Sequence, residues 1–83
     1  MAQISVTFQN NYSESRKWVI YDTGIDPTTP SLIFNDYLDI NAATPPLQLQ
    51  QDADGFQGHA LYQRSDGAAT NVDASDGDTV MME

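Results

Sequence analysis

Three Asp-Gly pairs divide the second half of the chain and restrict its possible folds more than any other feature. The pairs lie at residues 54–55, 66–67 and 76–77, separated by 12 and then 10 residues. Asp-Gly is a preferred sequence for the tight turns that connect antiparallel strands, and turns at this spacing are typical of all-β domains. The pairs therefore predict a meander of short antiparallel strands in this half of the chain.

The first half of the chain shows the alternation of β-strands rather than the spacing of helices. Residues 4–9, ISVTFQ, alternate apolar and polar side chains, and residues 18–21, WVIY, are rich in strand-forming residues. The segments NNYSES and GIDPTTPS are polar or rich in proline, which is typical of loops. We predict one all-β domain over residues 1–83, with about five to seven short strands.

The segment LIFNDYLDI, residues 32–40, is predicted to form two short strands joined by a bend at Asn35-Asp36. One long strand is the alternative, but its alternation would place Asp36 among buried side chains. After the loop NAATPP, Leu47 and Leu49 alternate with glutamines and predict a short strand. Because proline cannot donate a backbone hydrogen bond, Pro46 indicates that this strand lies at a sheet edge or that the proline stands at the start of the strand.

The size of the domain favours association with other copies. A domain near 83 residues hides only about 60% of the surface that its unfolded chain exposes, and the absence of cysteine excludes disulfide support. The strand PLQLQ and the C-terminal run DTVMM are the predicted free edges. Because Met81 and Met82 are adjacent, a strand directs them to opposite faces. We expect a homo-oligomer, a dimer or a ring, with an interface at Val80, Met81 and Met82.

The charge of the chain argues against nucleic acid and membrane partners. Twelve acidic residues outnumber Arg16, Lys17 and Arg64, which gives a net charge of -9. Nucleic-acid affinity depends on clustered basic residues, which this composition lacks. The N-terminal sequence has no signal-peptide pattern, and no apolar run approaches the roughly 20 residues of a membrane span, so we expect a cytoplasmic protein.

Aromatic residues offer one possible binding platform for bases or sugars. Trp18 beside Arg16 and Lys17 is the place in the sequence where an aromatic residue and positive charge coincide. Core packing is the favoured role of these rings in a small domain. The candidates are Trp18, Tyr21, Tyr37, Phe56 and Tyr62.

No catalytic, metal or cofactor motif stands out, and we expect a protein without enzymatic activity, metal or cofactor. His59 is the only histidine, and the sequence has neither cysteine nor a G-x-S-x-G elbow. We expect His59 to be a solvent-facing or edge residue. The carboxylate pairs Asp52/Asp54 and Asp76/Asp78 do not fit the spacing of a calcium loop. They are predicted to be turn residues that bond their own backbone.

Two stretches resemble motifs of the Sm-like (LSm) family. These are FNDYLDI, residues 34–40, and DGDTVMM, residues 76–82. The resemblance implies a strongly bent, five-stranded antiparallel barrel that assembles into rings on RNA, with an RNA pocket at Asn35, Tyr37, Asp39 and Asp76. Asp76 stands where the family has an arginine that stacks on the base, and Asp39 where it has an asparagine. These carboxylates are expected to oppose conventional RNA binding.

The sequence therefore predicts an all-β fold, either a small, strongly bent five-stranded antiparallel barrel of the Sm-like kind or a compact sandwich. It favours a non-enzymatic interaction or assembly subunit. An atypical Sm-like RNA-binding protein is the alternative, and a module that binds a cation through its Asp-Gly turns is a third interpretation.

Overall fold

The alternating segments of the sequence form β-strands throughout the computed structural model, which describes residues 3–24, 28, 30–52 and 57–83. No helix occurs in these ranges, and hence none long and apolar enough to cross a membrane. The all-β prediction is confirmed. The strands are β1 (Gln3–Asn10), β2 (Arg16–Asp22), β3 (Ser31–Leu38), β4 (Leu47–Gln50), β5 (Gly58–Arg64), β6 (Ala69–Ala74) and β7 (Thr79–Met82).

The strands divide between two sheets. One has three strands in the order β4-β1-β7, and the other has four strands in the order β3-β2-β5-β6. Neither sheet closes into a barrel within the described ranges, and a five-stranded barrel is not observed there. The reason is that β1 pairs with β4 and β7, whereas β2 pairs with β3 and β5, so no described ladder joins the strands of the two sheets into a closed ring.

The pairing of β1 with β7 is parallel, contrary to the prediction of antiparallel strands alone. Its register runs from Thr7 opposite Thr79 to Asn10 opposite Met82. The other strand pairs are antiparallel. Alternation of side chains marks a strand and its buried face but carries no information on strand direction, because both pairings share a period of two.

The two Asp-Gly pairs within the described residues form turns, although they do not form one meander. The turn at Asp66-Gly67 joins β5 and β6 as a hairpin, as predicted. The turn at Asp76-Gly77, where Gly77 has a φ of 84°, carries the chain from β6 in one sheet to β7 in the other. The pair at 54–55 lies outside the described residues.

The prediction of a bend at Asn35-Asp36 is wrong, because β3 is one strand of 8 residues. Asp36 lies opposite the buried Trp18, as the alternation requires, yet it is exposed. Because β3 is the outermost strand of its sheet, the Asp36 carboxylate reaches water without a turn in the backbone.

A β-bulge in β3 changes which of its side chains face the core. Ile20 pairs with Phe34, whereas the next residue, Tyr21, pairs with Leu32. Ile33 is therefore an extra residue in β3, and both Ile33 and Phe34 pack against the core. Leu32 is left on the outer face of the sheet, where 52% of its surface is exposed.

Buried side chains of both sheets form one core. Trp18 is fully buried in it, with its ring centroid 5.9 Å from that of Tyr62, and the favoured core role of Trp18 is confirmed. The sheets come close at Gly58, where an added Cβ would lie 2.7 Å from Leu49 Cβ. The core consists of Ile4, Val6, Phe8, Trp18, Ile20, Leu38, Leu49, Ala60, Tyr62, Ala74 and Met82.

The predicted edges are strands β4 and β7, and both are outer strands of the three-stranded sheet. Met81 and Met82 point to opposite faces, as expected. Met82 is fully buried in the core, whereas 47% of Met81 is exposed. Val80 packs against the core from a partly buried position. Met82 thus has a core role in its own copy, and the interface at Val80, Met81 and Met82 stays a prediction.

Candidate interaction surface

Exposed large apolar side chains concentrate on and beside β3. Tyr37 is 70% exposed, Leu32 52% and Ile40 52%, and the fourth exposed large apolar residue in the described ranges is Met81 on β7. Single exposed apolar residues are ordinary on a protein surface, whereas a group on one element marks an interaction site. The edge of β3 is therefore the first candidate for a binding surface.

The backbone of β3 directs hydrogen-bonding groups away from the sheet. The Lys17 carbonyl accepts a hydrogen bond from the Ser65 amide at 2.9 Å, so Lys17 is hydrogen-bonded toward β5 and not toward β3. Lys17 lies opposite Tyr37, and Val19, two residues further, lies opposite Asn35. Because backbone groups alternate in direction along an antiparallel strand, the amides and carbonyls of Asn35 and Tyr37 point outward at the free edge.

The Tyr37 amide supports this assignment directly. It donates a hydrogen bond of 2.7 Å to the carboxylate of Asp36, its own neighbour in the chain. A charged residue on an outer strand commonly protects that strand from unwanted pairing. Asp36 occupies only one backbone donor of this edge, the amide of Tyr37. The backbone groups of Asn35 have no neighbouring strand on that side in the described part of the chain.

An apolar strip extends from this edge across the outer face of the four-stranded sheet. Tyr21 pairs with Leu32 on one side and with Leu61 on the other, so the three side chains share one face. Tyr21 and Leu61 are partly buried, whereas Leu32 is exposed. The outer face is thus apolar beside the Leu32 end of β3, whereas Lys17 and Asp36 bring charge to its Tyr37 end.

Two of the three basic residues, Arg16 and Arg64, lie against the ring of Tyr12. The guanidinium of Arg64 lies 3.9 Å from the centre of the Tyr12 ring, and that of Arg16 lies 5.5 Å away. Both guanidinium groups bond the Asp66 carboxylate, and Arg16 also bonds Glu14. These contacts raise the pKa of Arg16, chiefly through Asp66, and lower the pKa of Asp66, chiefly through Arg64.

The aromatic partner of the basic residues is therefore Tyr12 and not Trp18, which lies in the core. Sequence reasoning missed Tyr12 because it stands in the polar loop NNYSES, where no periodicity indicates a contact. Of the other aromatic candidates, Tyr62 packs in the core and Tyr37 lies on the β3 edge. Phe56 lies outside the described residues.

Asn10 connects the Tyr12 loop to the end of β3. Its fully buried side chain donates hydrogen bonds to the carbonyls of Leu38 at 3.0 Å, Asp39 at 3.2 Å and Glu14 at 3.1 Å. Its amide oxygen accepts a hydrogen bond from the Tyr12 amide at 3.0 Å. The buried Asn10 thus ties the Tyr12 loop to the end of β3, in addition to the ladder between β2 and β3.

His59 bridges two carboxylates on the outer face of the four-stranded sheet. Its Nδ1 lies 2.6 Å from Asp73, and its Nε2 lies 2.6 Å from Asp52. Hydrogen bonding to Asp73 and then to Asp52 raises the pKa of His59. One third of the side chain, 33%, is exposed, in keeping with the expected surface position. A cavity of about 310 Å³ beside it is lined by Thr23, Gly24, His59, Ala60, Asn71, Val72 and Asp73.

The RNA pocket implied by the Sm-like resemblance is not assembled in the structure. Asn35 and Tyr37 lie on the β3 edge, and Asp39 follows β3, where its carbonyl bonds Asn10 at the end of β1. Asp76 instead accepts a hydrogen bond from Ser5, near the start of β1. The five residue steps from Ser5 to Asn10 correspond to about 17 Å of strand, so Asp76 lies far from Asp39.

Of the two carboxylates in the last Asp-Gly turn, Asp78 bonds the backbone of its own turn, as predicted, whereas Asp76 bonds the distant backbone of β1. Asp76 accepts a hydrogen bond from the Ser5 amide at 2.8 Å, and Asp78 accepts one from the Ser75 amide at 2.9 Å. No group of three possible metal-ligating side chains occurs in the described part of the chain. Asp54 of the other carboxylate pair lies outside it.

Comparisons with protein-family models, with curated proteins and with solved structures find no match to this chain. The function of the protein is therefore inferred from its own surface, and the edge of β3 is the most distinctive part of that surface.

Proposed function

We propose that the protein is a non-enzymatic assembly subunit that joins other copies of itself through the free edge of β3. The observation that carries this proposal is an outer strand of 8 residues that contains the exposed Leu32 and Tyr37. A long, apolar outer strand presents free backbone groups to which a further strand can be added.

Two of the other outer strands support assembly less well. Strands β4 and β7 have 4 residues each, which halves the backbone available for pairing. Only Met81 of the expected β7 interface is exposed, because Met82 is in the core and Val80 is partly buried. Pairing through Val80 and Met81 stays a prediction, with β3 as the preferred edge.

The arrangement around His59 supports a role without catalysis. Both ring nitrogens are hydrogen-bonded to carboxylates of the protein, and these contacts raise the pKa of the ring. With both nitrogens engaged, the ring offers no free nitrogen to a substrate as a general base. The His59 bridge is therefore assigned a role in stability.

The basic residues give the RNA-binding alternative little support. Arg16 and Arg64 share the Asp66 carboxylate, and Arg16 also contacts Glu14. Phosphate would have to displace these internal anions on a chain whose net charge is -9. An atypical Sm-like RNA-binding protein is accordingly the weaker proposal.

Proline substitution tests assembly through β3 with a matched control on β6. The Thr23 amide bonds the His59 carbonyl at 3.0 Å, so His59 and, by alternation, Leu61 bond toward β2. Asn71, opposite Leu61, therefore directs its backbone outward at the β6 edge, as Asn35 does at the β3 edge. Asn35→Pro and Asn71→Pro each remove one outward donor without removing a bond of the internal ladder.

Sedimentation at tens of micromolar protein in physiological salt reads out the result. We expect an oligomer for the wild type and for Asn71→Pro, and a 9.1 kDa monomer for Asn35→Pro. Far-ultraviolet circular dichroism checks that both variants keep the β-fold. A monomeric wild type, or equal assembly of the two folded variants, would overturn the proposal.

A further inference from the structure

We infer that two copies pair β3 with β3 in antiparallel fashion about a twofold axis at Asn35, which gives a closed dimer with one continuous sheet of eight strands. This inference rests on the proposed function and adds its symmetry, register and stoichiometry. It follows from the direction of the β3 backbone and from the positions of its exposed side chains.

The symmetry follows from the two faces of the sheet. The inner face of the four-stranded sheet packs on the core, while the outer face is open to solvent. A twofold axis perpendicular to the sheet keeps both inner faces on one side and makes the two β3 strands antiparallel. If the two β3 strands paired in parallel, the core-facing side of one sheet and the solvent-facing side of the other would lie on the same side of the joined sheet.

The register follows from the backbone directions. Because the amide and carbonyl of Asn35 point outward, the two Asn35 residues can exchange both backbone hydrogen bonds across the axis. Tyr37 of one copy then lies opposite the bulge at Leu32 and Ile33 of the other. This pairing covers Tyr37 and Leu32, which are 70% and 52% exposed in one copy.

Neighbouring registers are less favourable. An axis at Asp36 would place the two Asp36 carboxylates on directly opposite positions with about 4.5 to 5.5 Å between their Cα atoms, where like charges repel. An axis at Tyr37 would pair Asn35 with Asp39, beyond the last residue of β3, and would shorten the shared ladder. The uncharged Asn35 is thus the favoured residue for the axis.

The stoichiometry follows from the use of a single edge. Each copy contributes the same strand, β3, to the interface. Once two copies have paired, neither has a free β3 edge left, so assembly stops at the dimer. A ring would require two different edges of each copy. The dimer therefore has twice the mass of the 9.1 kDa chain.

Single cysteines test this arrangement cleanly because the native chain contains none. The variants Asn35→Cys, Asn71→Cys and Met81→Cys place one thiol at the edges of β3, β6 and β7. Identical residues on a twofold axis lie about 4.5 to 5.5 Å apart at their Cα atoms, within the range that a disulfide spans. A short bis-maleimide cross-linker serves as a second probe that tolerates less ideal thiol geometry.

We expect Asn35→Cys to convert to a covalent dimer under mild oxidation, with only traces of dimer for Asn71→Cys and Met81→Cys. Predominant cross-linking of Met81→Cys would move the interface to β7 and overturn the inference. The inference would also be overturned if sedimentation showed an oligomer but Asn35→Cys did not form cross-links. A monomer at all concentrations with no cross-linking would instead overturn the proposed assembly function itself.

Discussion

The Tyr37 amide donates its hydrogen bond to the Asp36 carboxylate, 2.7 Å away, on the free edge of β3. Asp36 therefore both charges this edge and occupies one of its donors, which limits how strongly a second strand can bind. The same contact explains how an acidic residue opposite buried Trp18 is accommodated in a continuous strand.

Replacement of Asp36 by asparagine is expected to strengthen self-association. Asp36→Asn removes the negative charge and weakens the acceptor that competes for the Tyr37 amide. We expect the dissociation constant to fall roughly tenfold, which corresponds to about 1.4 kcal/mol. Sedimentation over a range of concentrations measures this change. Glu83→Gln, which removes one charge at the C-terminus, serves as the control. An equal gain in affinity in both variants would show that the change in net charge alone causes the effect.

The His59 bridge predicts that stability decreases at alkaline pH. Because the folded state raises the pKa of His59, its contribution is complete below the unfolded pKa of about 6.5 and is lost as pH rises through the folded pKa. The melting temperature should therefore fall over this range. His59→Gln should have a lower melting temperature at acidic pH and a flatter profile. A wild-type profile identical to that of His59→Gln would exclude the bridge as the cause.

Neighbouring asparagines provide a matched test of the Asn10 hydrogen bonds. Asn10→Ala removes the side-chain donor to the buried Leu38 contact and to the partly buried Asp39 contact, so we expect a loss of about 2 to 4 kcal/mol in unfolding free energy. Asn11→Ala removes only an exposed contact with Glu83 and should change stability by less than about 0.5 kcal/mol. Urea denaturation measures both values. Similar losses would show that Asn10 does not hold the loop.

Single-stranded RNA should bind more weakly than about 10 μM at physiological salt, because the chain lacks a free basic cluster. Asp76→Arg should bind RNA no better than Glu83→Arg, which makes the same change in charge away from the Asp76-Gly77 turn. Fluorescence anisotropy with oligo-U and oligo-A measures both affinities. Tight, salt-sensitive binding by the native chain, or a specific gain at position 76, would restore the Sm-like pocket as a functional site.

Local sequence patterns predicted the strands better than their arrangement. The alternation in residues 4–9 placed Ile4, Val6 and Phe8 in the core, and the adjacency of Met81 and Met82 placed them on opposite faces. The parallel pairing of β1 with β7 could not be predicted, because it joins strands about seventy residues apart in sequence and alternation does not encode direction.

The candidate surface was predicted only in part. Tyr37 and Asn35 were selected through the Sm-like resemblance, whereas their role at a free edge depends on the order of strands in the sheet. The bulge that exposes Leu32 and the bridge that joins His59 to Asp52 and Asp73 depend on contacts between strands. A single sequence specifies such contacts only through the complete fold.

Amide hydrogen exchange as a function of protein concentration tests assembly through β3 most directly. We predict that the amides of Asn35 and Tyr37 exchange more slowly as concentration rises, while the amide of Asn71, at the β6 edge, does not change. Exchange at Asn35 and Tyr37 that is independent of concentration, in samples that sedimentation shows to be oligomeric, would contradict the assignment of β3 as the assembly edge.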